Sequence, residues 1–295
     1  MTAGPAKASE QPTSPQVAAT VLTIDPSWRP ILAEQSLDTL DALFQVKGDL
    51  ELAKPGLPSW RRRIRLELAS SEAQSRVLYL KRYKTPPFGR QVRRMVSGRA
   101  WRSTAWIEWN WMCMLARCHI AAAEPVAFGE EMIGPWERRS ALLIADAPGQ
   151  PLERWVQSHP ERVPPALRDH LARFVRRFHR AGYVHRDLYL SHIFLDQHGA
   201  HAPSFRLIDL LRVHRPRWRR QRWIVKDLAA LNYSTPAGVA TTADRVRWLQ
   251  VYLGVSRLST GDKVLVRQIV AKTRRVARHD RRRRQGWWAP KELEP

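Results

Sequence analysis

The stretch Pro165–Gly182 constrains the fold more than any other part of this 295-residue chain. Leu167, Leu171, Phe174 and Phe178 recur at helical spacing, with Pro165 in the first turn and Gly182 just past the last. That pattern predicts an amphipathic helix over about 165–181. It runs directly into Tyr183-Val-His185-Arg186-Asp187-Leu188, a short apolar segment that carries one carboxylate. Held by a rigid helix, Asp187 can be aimed into a cleft. Twenty-two residues on, Asp209 ends a second apolar, strand-like run from Phe205. Two carboxylates presented from successive β-type segments suit two tasks, one accepting a proton and the other holding a divalent cation.

The chain upstream has a different period. Ile64-Arg-Leu66-Glu-Leu68 and Arg76–Tyr83 alternate charged and apolar residues and predict two strands, with a turn over Ser70–Ser75. Short strands dominate the reading from Ile24 to Lys84. Pro86–Arg102 reads as a basic, exposed loop, Ser103–His119 as a helix, and Val126–Glu131 and Ala141–Ala145 as strands. Helical patterns resume from Ile224. The expected class is α+β. Residues 1–22 form a disordered tail lacking an apolar face, 23–145 a strand-rich lobe, 146–275 a helical lobe and 276–295 a basic tail. Period-two geometry points Lys81 inward, where Glu108 on the following helix can pair with it. Glu124, Glu130 and Glu131 are rival acids for that position.

The order Lys81, Glu108, His185-Arg186-Asp187, Asp209 matches the protein-kinase signature set and predicts a bilobal kinase-like fold. A finer pattern runs through HRDLYLSHIFL, LIDLLR and RWIVKDLAALNYS, with the LKRYK strand and the LARFVRRFHRAGYVHRDL approach. From about Gln74 to Ser234 it resembles the lipopolysaccharide kinase family, the Kdo- and heptose-phosphorylating enzymes of the bacterial inner core. Its most specific elements are His192, where protein kinases carry Asn, and Asp209–Arg212, where they carry Asp-Phe-Gly. The resemblance implies that Lys81 contacts the phosphates of ATP and that Glu108 positions it. It implies that Asp187 takes the proton of the acceptor hydroxyl and that Asp209 holds Mg²⁺. His192 is expected either to assist the metal or to hydrogen-bond phosphate. Asp227 would brace the catalytic loop, with His185 and Arg186 structural, Arg186 pairing with a carboxylate beneath it. Adenine would lie near Ile144–Ala147. Tyr189 stands where many protein kinases have a phosphate-neutralising Lys, which leaves that role to Arg212. Gly48 and Gly56 leave a phosphate-covering loop over Lys47–Trp60 loosely specified.

Fifty Lys+Arg against 27 Asp+Glu give +23, and only nine of the fifty are Lys. Such a charge suits a polyanionic partner, whether nucleic acid, anionic lipid or phosphorylated glycan; an Arg-rich composition spread over solvated faces is the plainer cause. The arginines cluster at Arg90, Arg93, Arg94, Arg99 and Arg102, at Arg215, Arg217, Arg219, Arg220 and Arg222, and from Arg274 to Arg284 ahead of Trp287-Trp288. The second cluster falls where a kinase activation segment receives its acceptor. With Arg212, it is expected to grip the carboxylates and phosphates of a lipopolysaccharide core or another acidic glycolipid. Aromatic residues beside Arg suit an anionic membrane surface. No stretch approaches a membrane span or a signal-peptide core, so the expected location is cytoplasmic, peripheral at the inner face of the cytoplasmic membrane. Cys113 and Cys118 read as reduced, buried thiols. His170, His179, His198, His201 and His214 lack a ligand spacing. Two readings compete: an Arg/Trp-rich nucleic-acid binder, which has no use for the Lys–HRD–Asp set, and a kinase fold with a protein acceptor or no activity.

Overall fold

The computed structural model describes residues 19–48, 50–52, 58–68, 76–160, 163–197 and 203–287. Its N-terminal part runs through β1 (Ala19–Ile24), α1 (Arg29–Glu34), α2 (Leu40–Gln45), β2 (Leu50–Glu51), β3 (Arg61–Leu68), β4 (Arg76–Lys84), α3 (Phe88–Arg94), α4 (Thr104–Arg117), β5 (Pro125–Ile133) and β6 (Trp136–Ala145). The six strands form one antiparallel sheet in the order β1-β5-β6-β4-β3-β2. Period-two alternation gives that sheet two buried faces. On β6, Ala141, Leu143 and Ala145 join Leu78, Leu80, Ile64 and Leu66 in a core covered by Leu32 of α1 and by Leu40 and Leu43 of α2. Leu142 and Ile144 point the other way, with Tyr83 and Phe128, toward Ala105, Met112 and Leu115 of α4. Lys81 shares the parity of Tyr83, so it faces α4.

The C-terminal part is helical: β7 (Gln150–Pro151), α5 (Leu152–Ser158), α6 (Pro165–Arg180), β8 (Ile193–Asp196), β9 (Ser204–Leu207), α7 (Arg220–Ser234), α8 (Thr242–Leu253) and α9 (Thr260–Trp287). Leu167, Phe174 and Phe178 bury the expected stripe of α6. This core is continuous with the α4 face of the sheet, so the helical half and the inner sheet face share one apolar interior.

Four expectations are corrected. The region Ile24–Lys84 contains the helices α1 and α2 among its strands. They are short, and burial of Trp28, Leu32, Leu40 and Leu43 holds them rather than their own length; Thr39 Oγ1 caps α2 by accepting from Ala42 N at 3.1 Å. Pro86–Arg102 is not a simple exposed loop but α3 followed by a π-type turn over Met95–Arg99. The buried Arg94 organises this segment by donating to the carbonyls of Arg99, Ala100, Arg102 and Pro135. At the N-terminus, residues 19–22 of the expected tail belong to β1, which pairs along β5. At the other end α9 continues past 276. Tyr233 Oη donates to Asp280 at 2.5 Å and Asn232 to Thr273 at 3.1 Å, docking α9 on α7. The turn Ser70–Ser75, residues 49 and 53–57 of the expected phosphate-covering loop (Gly56 among them), His198, His201, Trp288 and residues 1–18 lie outside the described residues.

The connection between the two parts depends on Gly149, whose φ of +87° is costly for any other L-residue. A Cβ there would lie 2.1 Å from the Leu195 carbonyl oxygen. Gly89, inside α3, has open space around it. Gly149→Ala is expected to lower unfolding stability by about 2–3 kcal/mol, and Gly89→Ala to leave it equal or raise it by about 0.5–1 kcal/mol. Chemical denaturation of the two variants checks both; equal midpoints for Gly149→Ala and wild type would refute the constraint.

Candidate active site

The site begins with the way the sheet fixes α4. Ser103 Oγ caps the helix by accepting from Trp106 N at 3.1 Å, and two acids from the sheet take its first free amides. Glu130 accepts from Ser103 N at 3.0 Å and Glu137 from Thr104 N at 2.9 Å. Carboxylates suit the positive end of a helix. Burial raises the Glu137 carboxyl, while hydrogen bonds from Ser140 and Thr104 oppose that rise. This anchoring sets the register of the residues one turn on, and Glu108 comes to face Lys81. The ammonium lies 2.5 Å from Glu108 Oε1. Glu108 has no solvent exposure and also accepts from Tyr83 Oη at 3.2 Å and from Leu210 N at 3.2 Å. The rival acids are engaged elsewhere: Glu124 accepts from Trp28 Nε1, Glu131 pairs with Arg138 and Arg139, and Glu130 holds the α4 terminus.

The segment after α6 is shaped by a second buried carboxylate. Asp227, on α7, has no exposure and accepts from the amides of His185 and Arg186, each at 2.6 Å. His179 Nε2 lies 3.3 Å away. Arg186 sits at φ +72°, an uncommon conformation for a non-glycine residue. Lys226 donates to its carbonyl. The bend presents Asp187 between two cations: Arg212 Nη1 is 2.7 Å from Oδ2 and 2.8 Å from Oδ1, and Lys226 Nζ is 3.6 Å from Oδ1. Among the described residues the Arg186 guanidinium pairs with no carboxylate; it lies 4.8 Å over the ring of Trp223.

Asp209 stands across from this loop, also at positive φ (+56°). Its carboxylate is 3.4 Å from Arg63 Nη2 and 3.9 Å from Lys81 Nζ. Burial pushes its carboxyl upward, but Lys81, then Arg63 and His192 outweigh that and hold it well below the usual carboxylate range. His192 Nδ1 lies 2.8 Å from the Asp187 carbonyl, which can only accept, so Nδ1 carries a proton. Nε2 then faces Asp209 at 3.9 Å. His185 donates from Nε2 to the Ile208 carbonyl at 3.0 Å, and burial lowers its pKa, favouring the neutral ring.

Among the described residues no group of three or more His, Cys, Asp and Glu gathers. One carboxylate with one imidazole nitrogen beside it fits a cation that takes its remaining ligands from phosphate oxygens and water, as Mg²⁺ does. Lys81, Glu108, Asp187, His192 and Asp209 thus converge. Arg212 joins them, but its cluster mates disperse: Arg220 donates to the His179 carbonyl, Arg215 lies against Gly182, and Arg217 and Arg219 are exposed before α7. Ile144 is held within the β6 ladder opposite Tyr79 and Pro125, whereas Ala147 lies just past the strand end. Cys113 and Cys118 are free and half-buried. Sequence reasoning missed Arg63 and the contact of Lys226 with Asp187. For Arg63 the signal was available in its register opposite Lys81; for Lys226 only the crossing of α7 beneath the loop reveals it.

This geometry can be set beside known proteins. The lipopolysaccharide kinase (Kdo/WaaP) family matches residues 58–252. The lipopolysaccharide core heptose(I) kinase WaaP of Pseudomonas aeruginosa is 36% identical over 154 residues, 49% of this chain and 58% of that protein. The enzyme of the same name from Escherichia coli K12 is 28% identical over 66% of this chain and 75% of its own length. A solved structure of WaaP in complex with acyl carrier protein superposes with a TM-score of 0.64 at 25% identity, covering 86% of this chain and 98% of that one. With its fold, and with the match spanning both carboxylate-bearing segments, the chain belongs to the lipopolysaccharide kinase (Kdo/WaaP) family.

Proposed function

We propose that this protein transfers the γ-phosphate of ATP to a sugar hydroxyl of the lipopolysaccharide inner core, with heptose ahead of Kdo because the curated relatives are heptose(I) kinases. The observation that carries the reading is the opposition of Asp187, between Arg212 and Lys226, to Asp209 beside the Lys81–Glu108 pair. Asp187 accepts the proton of the attacking hydroxyl. Lys81, fixed by Glu108, and Arg63 supply positive charge to the nucleotide phosphates, and the Ala147 end of β6 receives adenine. Asp209, with His192 beside it, would hold Mg²⁺, which neutralises charge on the phosphates when bound. Arg212 takes the place of the Lys missing at Tyr189. Loss of a general base costs about 10²–10⁴-fold. Asp187→Ala is therefore expected to lower kcat by that factor, and Asp209→Ala to remove Mg²⁺-dependent transfer. Labelled ATP offered with lipopolysaccharide reads both, and a wild-type rate in either variant would overturn these roles.

Among the described residues no helix is long and apolar enough to cross a membrane. A peripheral attachment is supported by exposed apolar side chains on α3 and in the segment after it. Phe88 stacks on Trp136 at 5.6 Å, and Phe88, Val96 and Trp101 are 71%, 84% and 69% exposed. Arg90, Arg93 and Arg102 flank them. Exposed apolar side chains with arginines near them in the chain suit the inner face of the cytoplasmic membrane. Val96→Ser with Trp101→Ser is expected to cut co-sedimentation with phosphatidylglycerol vesicles at least fivefold; unchanged sedimentation would refute this attachment.

An acyl carrier protein is a further candidate partner, because it accompanies the solved WaaP neighbour and an apolar cavity of about 330 Å³ suits an acyl chain here. Leu152, Trp155, Leu167, Leu228 and Leu249 line that cavity. Acylated carrier protein should raise the melting temperature and the unacylated form should not, with Leu249→Trp abolishing the difference. Equal effects of the two forms on wild type would remove the acyl chain from this reading.

A further inference from the structure

Between the N-terminal half of α7 and the middle of α9 lies an open groove of about 790 Å³. Arg186, Arg222, Lys226, Arg267, Lys272 and Arg275 line it, and no carboxylate does. Among the described residues Arg267, Lys272 and Arg275 make no ion pair. Six like charges around one concavity repel one another, and low-dielectric walls focus their field on whatever enters. An anion entering the groove would relieve that repulsion. Burial lowers the pKa of Lys226; the Asp187 carboxylate opposes that, ahead of the further lowering by Arg212 and Arg186.

Two features tie the groove to the site. Lys226 belongs to both, since it lines the groove and lies 3.6 Å from Asp187 Oδ1. Arg186 also belongs to both: it precedes Asp187 in the chain, its backbone is held at φ +72°, and its buried Nε has no hydrogen-bond partner. An anion in the groove would therefore be one side chain away from the carboxylate that meets the acceptor hydroxyl. The groove suits a compact oxyanion better than a polynucleotide. Stacking of bases needs a free aromatic face, and Trp223 is already approached by Arg186 at 4.8 Å and Arg222 at 5.6 Å, with His214 edge-on at 5.0 Å. Four of the six cations are arginines, whose planar forks grip phosphate in two places.

We propose that this groove binds a phosphate group already present on the glycolipid acceptor, away from the hydroxyl being phosphorylated, and so sets which hydroxyl reaches Asp187. The inference rests on the kinase reading above. Arg267, Lys272 and Arg275 select the acceptor, while Lys226 and Arg186 join the bound phosphate to the catalytic loop. The experiment compares wild type with an Arg267→Ser/Arg275→Ser variant, using intact lipopolysaccharide and the same material stripped of its phosphates. On intact acceptor the variant is expected to raise KM at least tenfold, and on stripped acceptor the two proteins should have equal KM. An Arg267→Lys/Arg275→Lys variant, which keeps the charge, should recover part of the loss; equal KM values on intact acceptor would overturn the proposal.

A binding arm separates this inference from the kinase reading. Full-length Asp187→Asn protein, with and without the two Ser substitutions, is titrated with delipidated phosphorylated core, phosphatidylglycerol vesicles and poly-uridine RNA. Loss of core binding alone supports the groove even if no acceptor is ever phosphorylated. Loss confined to vesicles would assign the groove to lipid headgroups and loss confined to RNA to nucleic acid; either result overturns it.

Discussion

One buried carboxylate ties the two halves of this protein together. Glu108 has no exposure and accepts from three donors on two sides: Lys81 and Tyr83 of the sheet, and the Leu210 amide of the segment after Asp209. An unpaired carboxylate at that depth would be strongly unfavourable, and removing one partner of a buried pair costs about 3–5 kcal/mol. The lowest-energy arrangement is therefore the one in which sheet, α4 and the Asp209 turn meet. Position is what the pair supplies. Lys81 is held where Asp209 lies 3.9 Å away, and Asp209 is held in a left-handed turn that a free chain would seldom visit.

Asp227 does the same for the opposing loop. Its two oxygens hold the amides of His185 and Arg186, and the positive φ of Arg186 is the strain those bonds sustain. The consequence reaches function through direction rather than energy. With the loop bent at Arg186, the guanidinium turns to Trp223 and the next side chain, Asp187, turns to Arg212. Two buried acids, each holding one wall, thus place two half-exposed acids opposite one another.

Strong periodicity made the central parts of this arrangement readable from residues alone. Leu167, Phe174 and Phe178 announce α6, and alternation along β4 puts Lys81 on the face opposite Leu78 and Leu80. Tertiary burial decided the parts that could not be read. α1 and α2 are six residues each, too short to show a helical period, and exist because Leu32, Leu40 and Leu43 cover the outer sheet face. The segment containing Arg94 looks solvated because it is rich in arginine, yet Arg94 is buried with its Nη1 and Nη2 donating to the carbonyls of Ala100, Arg102 and Pro135. Choosing Glu108 over three nearby acids required the helix register, which Glu130 and Glu137 set from strands far along the chain.

The net charge of +23 takes its meaning from the same distinction between paired and unpaired groups. Some arginines are internal fasteners: Arg94 in the turn after α3, Arg82 on the carbonyls of Leu43 and Val46, and Arg245 on the α7 C-terminus. Those contribute to charge without offering it to a partner. What remains is uneven. Arg90, Arg93 and Arg212 approach the entrance on the sheet side, close enough that Arg93 and Arg212 both depress the pKa of Arg90 after burial and Arg61 do. Arg267, Lys272 and Arg275 line the α9 side. Anions of the kind the proposed reaction brings, a nucleotide phosphate and an acidic acceptor, would relieve the repulsion within such groups of like charge.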